Sequence, residues 1–157
     1  MPLFYCLKFA FVFVSGFTFI RNAVKLDYPV KEAILSVLPL VDEMVVAVGQ
    51  SEDSTLELIQ SLGNKIKIVE TVWDDTLRKG GKVLAVETDK AFDYISDKAD
   101  WCFYIQGDEC VHEKYHSEIV SKMKAYKDDT NIDCPLSTSD AADEEDSVDL
   151  GSRRSKK

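Results

Sequence analysis

A chain of 157 residues, 45% of them hydrophobic, holds enough apolar material for one domain with a real core and too little for several. Its net charge of −9, without a basic surface interleaved with aromatics, argues against a nucleic-acid-binding role. The four cysteines, Cys6, Cys102, Cys110 and Cys134, have no C-x-x-C spacing and no dense framework, so they read as reduced thiols of an intracellular protein.

Met1 to Ile20 is almost wholly apolar, which raises a signal peptide or a membrane helix. No basic region precedes the run and no small-residue cleavage site follows it, and its Phe and Val content suits a strand. The expectation is an apolar extension over residues 1–13 and a buried first strand around Val12 to Ile20, in a cytoplasmic protein, with membrane association as the alternative. Asp27 and Pro29 then open a helix, Asp27 as the cap, with Val30, Ala33, Ile34, Val37 and Leu38 on its inner face and Pro39 ending it. Met44 to Val48 is the second strand. Ser54 and Glu57 form a capping box into a helix carrying Leu58, Ile59 and Leu62, closed by Gly63 and Asn64.

Ile66 to Val69 is a third strand, followed by a longer loop containing Trp73, Asp74, Asp75, Arg78, Gly80, Gly81 and Lys82. Leu84, Thr88, Ala91, Phe92 and Ile95 share one face of the next helix. Trp101 to Ile105, aromatic and β-branched without a charge, is predicted as a strand covered on both faces and inside the sheet, with Cys102 as a small buried hydrophobe. A last helix from about Lys114 turns Tyr115, Ile119, Met123 and Tyr126 inward and sets a Glu118 to Lys122 pair outside. Strand and helix alternating four times call for an α/β fold: a Rossmann-like parallel sheet with helices on both faces. From Lys127 to Lys157 nine acidic residues face five basic ones, and Ile132, Leu136, Val148 and Leu150 are the only large apolar residues, so this segment reads as a disordered acidic tail.

Every predicted strand ends in a polar turn on the same edge of the sheet, where α/β folds bind ligands. After Ile105 that turn is Gln106-Gly107-Asp108-Glu109, whose adjacent carboxylates make a hard-oxygen site suited to Mg²⁺ or Mn²⁺ on a phosphorylated ligand. Gly80-Gly81-Lys82 lacks the P-loop spacing, so Lys82 is at most one phosphate contact. His112-Glu113-Lys114-Tyr115-His116 is a literal H-E-x-x-H, the spacing of a zinc metalloprotease helix. A lysine between the histidines and the lack of a third histidine weigh against that reading.

The runs Val14 to Asn22, Val45 to Thr55 and Gln106 to Glu109, in that order, resemble the nucleotide-sugar half of family-2 glycosyltransferases of GT-A fold, over roughly residues 14–126. The resemblance implies a nucleotide-diphospho-sugar donor, transfer of a sugar to an acceptor hydroxyl, and a divalent ion, Mn²⁺ or Mg²⁺. Asn22 matches the turn after the first strand, and Ser51, Asp53 and Thr55 match the turn after the second. Asp108 matches the second Asp of the metal-holding Asp-x-Asp motif. Three positions depart: Gln106 replaces the first Asp, Val48 stands where an Asp reads the base, and Asp89 stands where an Asn is common. The donor site is thus expected at Asn22, Gln50, Ser51, Lys82, Gln106 and Asp108, with Asp108 on the metal. In the family, the base that deprotonates the acceptor comes from a second half of the domain, which is expected to be absent here. That expectation leaves a truncated, non-catalytic nucleotide-binding or interaction protein as the alternative function. It also implies self-association through uncovered apolar surface.

Overall fold

The computed structural model describes residues 11–129, apart from the side chains of 78–80. The chain divides into two units, 1–127 and 128–157, and all elements below belong to the first. The apolar extension, except its last three residues, and nearly all of the acidic tail lie outside the described residues.

Four strands, β1 (Val14–Ile20), β2 (Glu43–Gly49), β3 (Ile66–Thr71) and β4 (Trp101–Tyr104), form one all-parallel sheet in the order β3-β2-β1-β4. The helices are α1 (Val30–Val37), α2 (Thr55–Gln60), α3 (Lys82–Asp93) and α4 (His116–Ala125). The expected Rossmann-like α/β fold is therefore present. Alternation along the strands divides the core in two. Val14, Ile20, Met44, Val46, Val48, Phe103 and Ile105 pack on one face with Val30, Ile34 and Val37 of α1, Ile59 of α2 and Met123 of α4. Phe17, Val45 and Ala47 face the other way, against Ala91 of α3. Among the described residues no helix is long and apolar enough to cross a membrane, and the apolar run resolves from Val14 onward into β1.

Several local expectations are corrected. Asp27 does not cap α1: a tight turn, closed by Leu26 N–H donating to Asn22 O and Tyr28 N–H to Ala23 O, puts Asp27 at φ +55°, and Pro29 takes the cap position. Ser54 makes no side-chain cap bond on α2, and it is the preceding residue, Asp53, that accepts from the first amide of the helix, Thr55 N–H, at 3.0 Å. The inner face of α3 is Val83, Glu87 and Ala91, while Leu84 and Phe92 are exposed. A hydrophobic pattern passes over Glu87, which is fully buried because Lys90 Nζ and the Thr71 hydroxyl each donate to it at 2.6 Å. In α4 only Met123 is buried, and Tyr115 and Tyr126 are exposed.

The largest correction concerns β4, which is an edge strand among the described residues. Phe103 and Ile105 are buried, but Cys102 and Tyr104 are exposed. The run lacks charge for a different reason than cover on both faces. The Tyr104 ring lies along β1, 5.3 Å from Phe17 and 6.5 Å from Phe19, so its apolar surface packs on aromatic neighbours within the sheet.

Candidate functional site

The strand order reverses between β1 and β4, because β1, β2 and β3 run outward on one side and β4 is added on the other. Such a reversal leaves a gap beyond the carboxyl ends of the two strands, since the following loops diverge to opposite sides. A crevice of about 520 Å³ occupies this position. Its polar lining is Arg21 and Asn22 after β1 and Gln106 and Asp108 after β4. Phe19, Trp73, Tyr104 and Leu84 supply aromatic and apolar wall.

The loop after β1 is held by side chains of the turn after β2. Ser51 Oγ accepts from Asn22 N–H at 3.0 Å and donates to Gly49 O at 2.8 Å. Thr55 Oγ1 accepts from Ala23 N–H at 2.7 Å, and Asp53 Oδ2 accepts from Lys25 N–H at 2.6 Å. In the other direction Asn22 Oδ1 accepts from Glu52 N–H at 2.8 Å. Asn22 sits at φ +53°, a left-handed conformation that Asn tolerates better than most residues. The motif residues Asn22, Ser51, Asp53 and Thr55 thus join two loops about thirty residues apart and hold in place Asn22, which lines the crevice.

Burial would raise the Asp53 carboxyl, but bonds from the Thr55 hydroxyl and from the backbone N–H groups of Lys25, Thr55 and Val24 outweigh it and hold the group below its ordinary 3.8. A carboxyl depressed on folding contributes stability above its unfolded value, and the contribution is lost as pH falls through the folded value. The thermal midpoint of the wild type is therefore expected to exceed that of Asp53→Asn at pH 5, with the gap closing below pH 3.8. A constant gap across that range contradicts the assignment.

Of the expected donor-site residues, the structure brings Asn22, Gln106 and Asp108 into one crevice. Gln50 and Ser51 do not line it: Gln50 offers its carbonyl to Arg21 Nε at 3.2 Å, and Ser51 is spent on the loop. Lys82 is exposed at the start of α3 outside the lining, although its neighbours Gly81 and Val83 belong to it. Glu109 closes its own turn by accepting from Gln106 N–H at 3.0 Å, so the expected carboxylate pair reduces to Asp108.

A divalent ion was expected here, and among the described residues no group of three or more His, Cys, Asp or Glu could hold one. One carboxylate and one amide would suit Mg²⁺ or Mn²⁺ only if water and a bound ligand supplied the remaining oxygens. The H-E-x-x-H motif does not form a zinc helix. His112 precedes a 3-10 turn, Glu113–Tyr115, and its Nδ1 accepts from Lys114 N–H at 3.2 Å, while α4 starts only at His116.

Arg21 and Trp73 also line the crevice and were not among the expected site residues. The guanidinium lies 5.6 Å from the centre of the indole ring, and Nη1 donates to Asp75 at 3.0 Å. Trp73 in turn packs edge-on against Phe19 at 5.9 Å. The available signals were an arginine beside Asn22 at a strand end and a tryptophan outside any helix or strand period. Partial burial of the Tyr104 ring raises its phenol above the ordinary value against a bond involving Thr88, and the Glu109 and Asp108 charges push the same way as burial.

Fold and crevice define the class: a Rossmann-like parallel-sheet protein with a polar and aromatic cleft at the switch point of its sheet. No family model matches the chain, and no curated protein matches it.

Proposed function

We propose that the protein is glycosyltransferase-like and binds a nucleotide-diphospho-sugar in the crevice, for transfer of the sugar to an acceptor hydroxyl. The supporting observation is that Asn22, Gln106 and Asp108, which the family resemblance singles out, line one crevice at the switch point between β1 and β4. Aromatic wall on one side and polar groups on the other suit a ligand with a flat base and a charged diphosphate. Gln106 would offer an amide to a ribose hydroxyl, and Asp108 would be the carboxylate that holds a Mg²⁺ or Mn²⁺ ion. Such an ion, when bound, would supply positive charge to stabilise a departing diphosphate.

One observation favours a second reading, a nucleotide-binding protein without turnover. Among the described residues Asp108 is the only carboxylate lining the crevice, and a carboxylate engaged with the ion cannot also deprotonate an acceptor. Titration calorimetry with UDP and GDP, with and without Mn²⁺, tests binding, and release of free sugar or its transfer tests turnover. Binding is expected to tighten with Mn²⁺, and Asp108→Ala is expected to remove the Mn²⁺-dependent part while leaving the rest. Absence of binding for both nucleotides rejects the proposal. Binding without turnover selects the second reading.

A further inference from the structure

We propose that Arg21 is the protein's own anchor for the diphosphate, held in reserve by Asp75, so that part of the affinity needs no metal. This inference rests on the nucleotide-diphosphate reading above and adds a residue to it. A protein of net charge −9 repels a diphosphate at long range, and Asp108 repels it at the site, so binding needs a cation in the crevice. Among the described side chains Arg21 is the only cation lining it.

Three contacts pre-orient the guanidinium. Its Nε donates to Gln50 O at 3.2 Å, its Cζ lies over the Trp73 ring 5.6 Å from the centroid, and Nη1 donates to Asp75 at 3.0 Å. The first two fix where the group sits. The third is exchangeable, because the Arg21 side chain is 21% exposed and Asp75 is 55% exposed, so the carboxylate is readily hydrated when released. A diphosphate likewise offers pairs of anionic oxygens, with more charge, and an arginine fork binds such a pair bidentately. Asp75 thus competes with the ligand for one cation and sets the threshold of affinity.

The test is calorimetry on the full chain with EDTA present, using inorganic pyrophosphate, UDP, GDP and the uncharged nucleosides uridine and guanosine. Arg21→Gln is expected to weaken pyrophosphate and nucleoside diphosphates about ten- to hundredfold, the loss of a charge-assisted bond, while leaving nucleosides unchanged. Asp75→Asn is expected to tighten the same anions by about three- to tenfold. Arg21→Lys, which keeps the charge without the fork, is expected to recover part of the loss and guards against a folding defect in Arg21→Gln. Nucleotide binding that is indifferent to both Arg21 variants overturns this inference and leaves the donor-site reading intact. Loss of nucleoside binding in Arg21→Gln, with pyrophosphate unaffected, also overturns it, because Arg21 then contacts the base. No binding of any nucleotide, with or without Mn²⁺, overturns the reading on which it rests.

Discussion

Replacing Thr55 by Val is expected to destabilise the domain by about 2–3 kcal/mol and to lower its thermal midpoint by about 8–15 °C. The two side chains have nearly the same shape, so packing around a residue with no exposure is kept. What disappears is the oxygen that accepts from Ala23 N–H at 2.7 Å and approaches Val24 N–H at 3.4 Å, and that also bonds Asp53. Ala23 is 1% exposed, so water cannot replace the lost acceptor and a buried N–H is left orphaned. Amide exchange at Ala23 and Val24 is expected to accelerate relative to the sheet, because the loop after β1 loses a principal tie to the turn after β2. Ser54→Ala serves as the contrast: Ser54 is exposed and makes no cap bond, so a change within about 0.5 kcal/mol is expected. Equal losses for the two variants would show that the hydroxyl of Thr55 is not the tie described.

That contrast also shows where the sequence was informative. Strands and helices were legible because their apolar residues recur at periods of 2 and 3.6, and four alternations of the two leave a parallel sheet as the natural solution. The inner face of α3 is not legible in the apolar pattern, because Glu87 is buried by pairing with Lys90 and Thr71, and Thr71 is sixteen residues away. Cover on the two faces of β4 was misjudged because a tyrosine packed on its neighbours in the sheet has the same composition signature as one under a helix. In the crevice, Asn22, Gln106 and Asp108 were legible as strand-end polar residues. Ser51, Asp53 and Thr55 were legible as a motif, but the motif does not say that their oxygens serve backbone N–H groups about thirty residues upstream. Arg21 and Trp73 meet across a gap of fifty-two positions, and no local period carries that contact.

Their meeting depends on Gly49, and Gly49→Ala is expected to cost about 1–3 kcal/mol and to weaken the nucleoside diphosphate binding proposed above at least about tenfold. A Cβ at this position would collide with Trp73 Nε1, lie 2.7 Å from Trp73 Cδ1 and lie 3.1 Å from Cβ of Arg21. Gly49 is buried at the end of β2, so the strand cannot retreat without breaking its register with β1 and β3, and the indole must move instead. A displaced indole leaves Phe19 without its edge-on partner and Arg21 without the plane it rests on, so the aromatic wall and the cation are disturbed together. The indole N–H resonance of Trp73 is expected to shift, while that of Trp101, bonded to Met123 O at 3.0 Å on the other face, stays in place. Gly63→Ala separates this effect from simple backbone strain. A Cβ there meets nothing within 4 Å, but the φ of +125° is unfavourable for alanine, so stability should fall while binding is unchanged. Wild-type affinity in Gly49→Ala, with the Trp73 resonance moved, would mean that the ligand does not use the wall formed by Trp73 and Arg21.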